Sequence, residues 1–223
     1  MTAPGSDQAK AGAADIRVDI VSDVVCPWCV VGYRQLDAAL TEASMTADIH
    51  WHPFELNPAM PAQGENLRDH LMAKYGISEQ DSVAARAQLT RLGAEVGFAF
   101  NFSDDMNLYN TFNAHQLLHW AAASGHQHAL KPALFDAYFT RRENIADHSV
   151  LAAVAARAGL DEAEAAAVLA EQRYAGEVRK AARLAIANGI RGVPAMAFNG
   201  SAFVAGARGV GAYLNILRQA RPN

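Results

Sequence analysis

Ile16-Arg17-Val18-Asp19-Ile20-Val21-Ser22-Asp23-Val24-Val25-Cys26-Pro27-Trp28-Cys29 is the stretch on which the reading of this chain turns. Its first seven residues alternate β-branched and polar side chains, which predicts a strand. From Cys26 to about Ser44 the pattern becomes helical, with Val30, Tyr33, Leu36 and Leu40 on one face. Pro27 falls in the first turn, where a helix tolerates it. Ala47 to Phe54, closing at Pro53, reads as a second strand. Strand, helix and strand within about forty residues form a βαβ unit with parallel strands and a right-handed crossover.

The thiols stand at the junction of that first strand and helix. A thiol at a helix N-terminus faces unpaired backbone N–H groups and the positive end of the helix dipole, both of which favour thiolate. Cysteines so placed titrate at roughly 3.5–7.5, against about 8.5 for a free thiol. Cys26 is therefore expected to be the exposed, activated nucleophile. Cys29, nearly one turn later and more buried, is expected to resolve the mixed disulfide. Pro27 and Trp28 between them are expected to tune the thiolate and to face substrate. The chain of 223 residues holds only these 2 cysteines. A disulfide closing so short a loop would restrict the unfolded chain very little, so stability does not account for the pair.

A zinc site needs about four ligands. His115 and His119 lie at helical i,i+4 spacing and would complete a Cys2His2 set, but both also fit as ordinary helix residues. The strand–CxxC–helix context favours redox chemistry over metal, and no metal site is assigned.

From about Asn66 the texture turns helical, with short breaks. Ser78 and Asp81 form a candidate capping box for a helix ending near Gly97. Asn110 to Ala123 and Leu130 to Arg142 follow, separated by Ser124-Gly125. Asp147 opens a helix ended by Gly159, and Asp161 with Glu164 caps the next. Arg173 to Asn188 is helical and stops at Gly189. Pro194 to Phe198 and Ala202 to Ala205 then form a hairpin around Asn199-Gly200, before a last helix from Val210 to Gln219. The fold class is α/β: a thioredoxin-like fold, with β-α-β and α-β-β-α halves in residues 15–61 and 173–223, and an inserted all-helical subdomain in 62–172. Residues 1–14 read as a disordered leader.

Two further places carry candidate chemistry. A proline opening a central strand supplies no N–H to the ladder. In Gly189-Ile190-Arg191-Gly192-Val193-Pro194 this is explained by a cis Val193–Pro194 bond that turns the Val193 backbone toward the thiols, where it would pair with an extended peptide. A trans proline at an edge strand is the plain alternative. Asp23, three residues before Cys26, suits proton relay to a cysteine, and equally suits a turn or cap. Trp51, His52 and Phe54 are read as packing against the insertion, with His52 kept as a substrate-side candidate because histidine is the side chain suited to proton exchange near neutral pH.

Composition sets the bounds. With 51% hydrophobic and 19% charged residues the chain is a globular protein with a sizeable core. A net charge of −4 gives no basic surface for nucleic acid or anionic lipid. No apolar stretch approaches the length of a membrane span or a secretory signal, which predicts a cytoplasmic protein. No oligomeric state is predicted, because an interface patch and core periodicity look alike here.

The sequence resembles the DsbA family, most closely its cytoplasmic FrnE-like branch, from about Ile16 to Leu217. The resemblance is carried by Asp23-Val24-Val25-Cys26-Pro27-Trp28-Cys29, Trp51-His52-Pro53-Phe54-Glu55-Leu56-Asn57-Pro58 and Asn110-Thr111-Phe112-Asn113-Ala114-His115. Tyr138-Phe139, Asn144-Ile145 and Gly189 to Pro194 add to it. It implies a Cys26–Cys29 redox pair, a cis Pro194 and oxidation, reduction or isomerisation of protein or peptide disulfides. The redox-active disulfide would be the only prosthetic chemistry, with glutathione as a candidate reductant and partner. It also implies that the insertion caps the active-site face and brings Asn110 and His115 near the thiols. Periplasmic oxidases of the family usually carry His where this chain has Trp28, which points away from a strongly oxidising centre. Some relatives in this branch carry extra cysteines, and this chain has none.

Two other functions fit the same outline. A glutathione-dependent isomerase or transferase of kappa-like architecture typically has Ser at the position of Cys26, so the intact CxxC argues against it. A chaperone-like binder of unfolded chains would use apolar surface around the active-site groove and would not need the thiols.

Overall fold

The computed structural model describes residues 14–61 and 63–220. The leader predicted for residues 1–14 lies outside the described residues, apart from its last position. Strand β1 (Ile16–Ser22), helix α1 (Pro27–Ala43) and strand β2 (Ala47–Pro53) form the first unit, and β1 and β2 run parallel with Ile16 opposite Ala47 and Ser22 opposite Pro53. Ile16, Val18 and Ile20 are fully buried, as a strand with covered faces requires. The other half supplies α8 (Ala175–Ala187), β5 (Ala195–Phe198), β6 (Ala202–Ala205) and α9 (Val210–Ala220). β5 pairs antiparallel with β1, Val18 facing Phe198 and Val21 facing Ala195, and the sheet order is β2-β1-β5-β6. The Asn199-Gly200 turn has positive φ at both residues, which a tight hairpin needs. Asn199 also exchanges hydrogen bonds with the Arg17 backbone, extending the β1–β5 seam.

Between β2 and α8 lie a two-residue strand β3 (Glu65–Asn66), α2 (Leu67–Tyr75), α3 (Glu79–Glu95) and a second two-residue strand β4 (Asn107–Leu108). Then come α4 (Phe112–Ala122), α5 (Gln127–Phe135), a π-helical turn at Asp136–Thr140, α6 (His148–Arg157) and α7 (Glu162–Ala170). The segment is mostly helical, and the all-helical reading is corrected by β3 and β4, which form a small antiparallel ribbon. Its strands are too short to show alternation, and Asn66 doubles as the N-cap of α2. The helix expected over Leu130 to Arg142 begins earlier, at Gln127, and gives way to the π turn, ending at Arg142 with φ of 57°. The capping box at Ser78 and Asp81 is present in both directions, and Asp147 and Asp161 cap the helices they precede.

α9 packs on α1, while α5 and α8 pack against β2. The contact between α5 and β2 is sealed by Gln127, whose amide accepts from Trp51 N–H at 2.9 Å and donates to Trp51 C=O at 3.0 Å. This gives an edge strand the two partners that a further strand would supply. Among the described residues no helix is long and apolar enough to cross a membrane.

Candidate active site

Cys26 is the N-cap of α1, with extended backbone (φ −91°, ψ 110°), and Pro27 follows at the first helical position. Cys26 C=O accepts from Cys29 N–H at 3.0 Å, and Cys26 N–H donates to Asp23 C=O at 3.3 Å, so the motif is a tight turn entering the helix. Both cysteines are free thiols. The Cys26 thiol donates to Val193 C=O at 3.6 Å, and the Val193–Pro194 peptide is cis. Gly32 of α1 makes room for this strand, because a Cβ there would lie 3.1 Å from Pro194 Cγ.

Cys26 was expected to be exposed, and this is corrected: it is 4% exposed and Cys29 1%. The Cys26 thiol lies against the Val193 carbonyl. A cavity of about 480 Å³, walled in part by α2 and α3, reaches Cys26, with Trp28 and Tyr75 among its lining residues. Cys29 does not line it. Access from outside therefore leads to Cys26 first.

The two thiols are shifted in opposite directions. A hydrogen bond with Cys29, then burial, pushes Cys26 well up; burial opposes ionisation of Cys29 too, but hydrogen bonds from Cys26 and Ser22 and the charge of Lys131 bring it below the usual thiol value. The two ionisations belong to the pair, the first made easier and the second harder. The depression expected at Cys26 is thus corrected: it falls on Cys29, while Cys26 is pushed up.

Lys131, on α5, is the charge beneath that pair. It is 1% exposed, with Nζ 5.3 Å from the Trp51 ring and 5.0 Å from the Phe135 ring. Burial pulls it down to about 8, against the opposing pull of Cys29, Asp23 and Cys26. Asp23 is buried beside the motif. Its Oδ2 accepts from Leu56 N–H at 2.7 Å, and its Oδ1 stands 3.4 Å from His115 Nε2. His115 Nε2 already donates to Phe54 C=O at 3.1 Å, so its approach to Asp23 is electrostatic rather than a full hydrogen bond. Burial alone would raise Asp23, but His115, Leu56 N–H and Lys131 hold it below its usual value. Burial pushes His115 down, against the opposing pull of Asp23. Glu55 is pushed up to about 7 by burial and by the charge of Asp23.

The sequence candidates therefore separate into layers. Cys26, Pro27, Trp28 and Val193 surround the mouth of the cavity, with Pro194 behind Val193 and Cys29 below. Asp23 and His115 lie underneath with Lys131. His52 does not line the cavity; it pairs with Asp19 at 2.8 Å across β2 and β1. Asn110 holds the carbonyls of Pro58 and Met60 at 3.5 and 3.3 Å and lines a separate hollow with Glu55 and Arg179. His119 turns to Tyr174 instead of joining His115. Lys131 was missed. The available signal was Gln127 and Lys131 at i,i+4 spacing, two polar residues on the face of α5 that ends in Phe135.

A family model described as "DSBA-like thioredoxin domain" matches residues 17–218. The chain is 33% identical to a solved structure described as a probable DsbA oxidoreductase, SCO1869 of Streptomyces coelicolor, with a TM-score of 0.85 over 92% of this chain and 89% of that one. The uncharacterized protein YwbO of Bacillus subtilis (strain 168) is 28% identical over 166 residues, 74% of this chain and 78% of YwbO. The cytosolic disulfide reductase DsbM of Pseudomonas aeruginosa shares the fold at 20% identity, with a TM-score of 0.60 over 92% of this chain and 95% of that one, and has also been solved with glutathione.

Proposed function

Because the chain belongs to the DSBA-like thioredoxin domain family, we propose that it is a thiol–disulfide oxidoreductase and isomerase of the FrnE-like branch, acting on protein or peptide disulfides through Cys26 and Cys29. The observation that carries this reading is a pair of free thiols at the start of α1, only one of which meets a cavity. Cys26 attacks a substrate sulfur, and the substrate's departing thiolate takes up a proton. Cys29 then attacks Cys26 Sγ, closing the Cys26–Cys29 disulfide and releasing the second substrate thiol. Two electrons pass from the cysteine pair to the substrate, and the reverse sequence oxidises a dithiol.

Each neighbour has a part in this cycle. The Val193 backbone holds an extended peptide beside Cys26, and Trp28 forms the rim. Lys131 stabilises the thiolate, and ionised Asp23 beneath the pair takes and returns the proton of Cys29. The cysteine pair is the only electron carrier, with glutathione as reductant. A cytoplasmic setting belongs to the same reading and is supported by the fold shared with cytosolic DsbM.

The test is reduction of insulin disulfides. Cys26→Ser is expected to fall to background, and Cys29→Ser to accumulate a mixed disulfide through Cys26. Undiminished reduction by Cys26→Ser would overturn the proposal. The reduction potential of the pair then sets the direction of flow against a given thiol pool.

A further inference from the structure

We infer that the cavity beside Cys26 selects low-molecular-weight disulfides that carry carboxylates, and that Lys74 and Arg191 read that charge. The inference rests on the exchange chemistry proposed above and adds the class of small partner. About 480 Å³ is the size of a small-molecule site, which typically spans roughly 300–1,000 Å³. Its walls are mostly apolar, with Leu89 and Phe102 inside, and Trp28 and Tyr75 are 40% and 59% exposed.

The charges around this cavity are of one sign. Lys74, Arg86 and Arg191 line it, and no carboxylate among the described residues does. Arg86 is neutralised by Asp104 at 2.9 Å. Lys74 Nζ donates to Leu56 C=O at 2.9 Å and Asn57 Oδ1 at 2.6 Å, both uncharged, so its position is fixed while its charge is not cancelled. Arg191 makes no ion pair among the described residues and stands two positions before Val193, whose carbonyl meets the Cys26 thiol. The carboxylate nearest the thiols, Asp23, is buried beneath them and opposed by Lys131. The whole chain carries −4, so the positive cavity is a local feature. A disulfide with carboxylates on both halves would place its sulfurs at Cys26 while its anionic groups reach Lys74 and Arg191.

In the step, the Cys26–ligand S–S bond forms as the ligand S–S bond breaks. The first carboxylate-bearing thiolate leaves and is protonated from solvent. Cys29 then bonds to Cys26 and releases the second thiol, so one disulfide yields two thiols for two electrons from the pair.

The test is single-turnover oxidation of fully reduced protein, followed by loss of free thiol. The probes are oxidised glutathione (net anionic), bis(2-hydroxyethyl) disulfide (neutral) and cystamine (cationic). Each rate is divided by that of the same disulfide with dithiothreitol, which removes intrinsic reactivity. The normalised rates are expected to order anionic, neutral, cationic. The anionic-to-cationic ratio should fall by about fivefold in Lys74→Gln and again in Arg191→Gln, the size of a partly exposed ion pair. It should return in Lys74→Arg and Arg191→Lys and collapse in molar salt. A wild-type ratio near one, or a ratio unmoved by both glutamine variants, overturns the inference. Failure of all three disulfides to oxidise the protein would instead sink the exchange chemistry on which it rests.

Discussion

Lys131 carries its charge where a lysine loses most by doing so. Its fall from 10.5 to about 8 means that the unfolded chain binds the proton more tightly than the folded one. The cost is fully present below pH 8 and is relieved as the pH rises from there to 10.5. Replacing Lys131 with Met is therefore expected to stabilise the protein at pH 7 by about 1–3 kcal/mol, read by urea unfolding. The same change should raise the first ionisation of the thiol pair and slow its alkylation at neutral pH by about tenfold. A variant that is less stable, or whose thiols react as before, would show that Lys131 is held there for packing alone. The cysteines and Asp23 were legible because a short motif carries them. Lys131 was not, because a lysine on a helix is ordinarily at the surface and only the fold brings α5 beneath β2.

Elements built by local chemistry read well from sequence. The capping box at Ser78 and Asp81, the Asp caps at 147 and 161, the Asn199-Gly200 turn and the stop at Gly189 each involve residues a few positions apart. The β3–β4 ribbon, the early start of α5 and its π-helical end depend on segments far apart in the chain, and no local pattern announces them. Gln127 belongs with these. It closes the open side of β2 at Trp51 and sits one turn before Lys131, so it fixes the height of the buried charge against the sheet. Gln127→Leu is expected to cost about 1–3 kcal/mol, because it leaves the Trp51 N–H and C=O unpaired in a buried place. Calorimetry checks the loss, and a shift in thiol pKa should accompany it. Gln127→Glu keeps the acceptor for Trp51 N–H and should lose less than Leu if the hydrogen bonds, rather than side-chain volume, are what matter.

For the molecule as a whole, pH sets buried groups against one another. Burial lowers His115 and His128, so below about pH 6.5 the unfolded chain binds more protons and stability falls with pH. Asp23, held low, adds a further loss in stronger acid. Glu55 acts in the opposite sense. Its folded value of about 7 against 4.5 favours the folded state at acid pH, an advantage that is lost as pH rises through that window. Glu55→Gln should therefore gain stability relative to wild type between pH 5 and pH 8, and its acid decline should be steeper. Urea midpoints at the two values test both statements, and parallel curves would remove Glu55 from the account.

β1 lies between a neighbour made at once, β2, and one made more than 140 residues later, β5. While the chain is being synthesised, the Cys26–Cys29 motif emerges early, without the strand that brings Val193 to it and without the helix that brings Lys131. The nascent thiols are then ordinary ones, open to whatever oxidant is present, and the catalyst comes into being only when the hairpin docks. A ribosome-bound chain halted before residue 127 should accordingly show thiols of normal reactivity and an uncovered β1 edge, and completion of the chain should both activate the thiols and cover that edge.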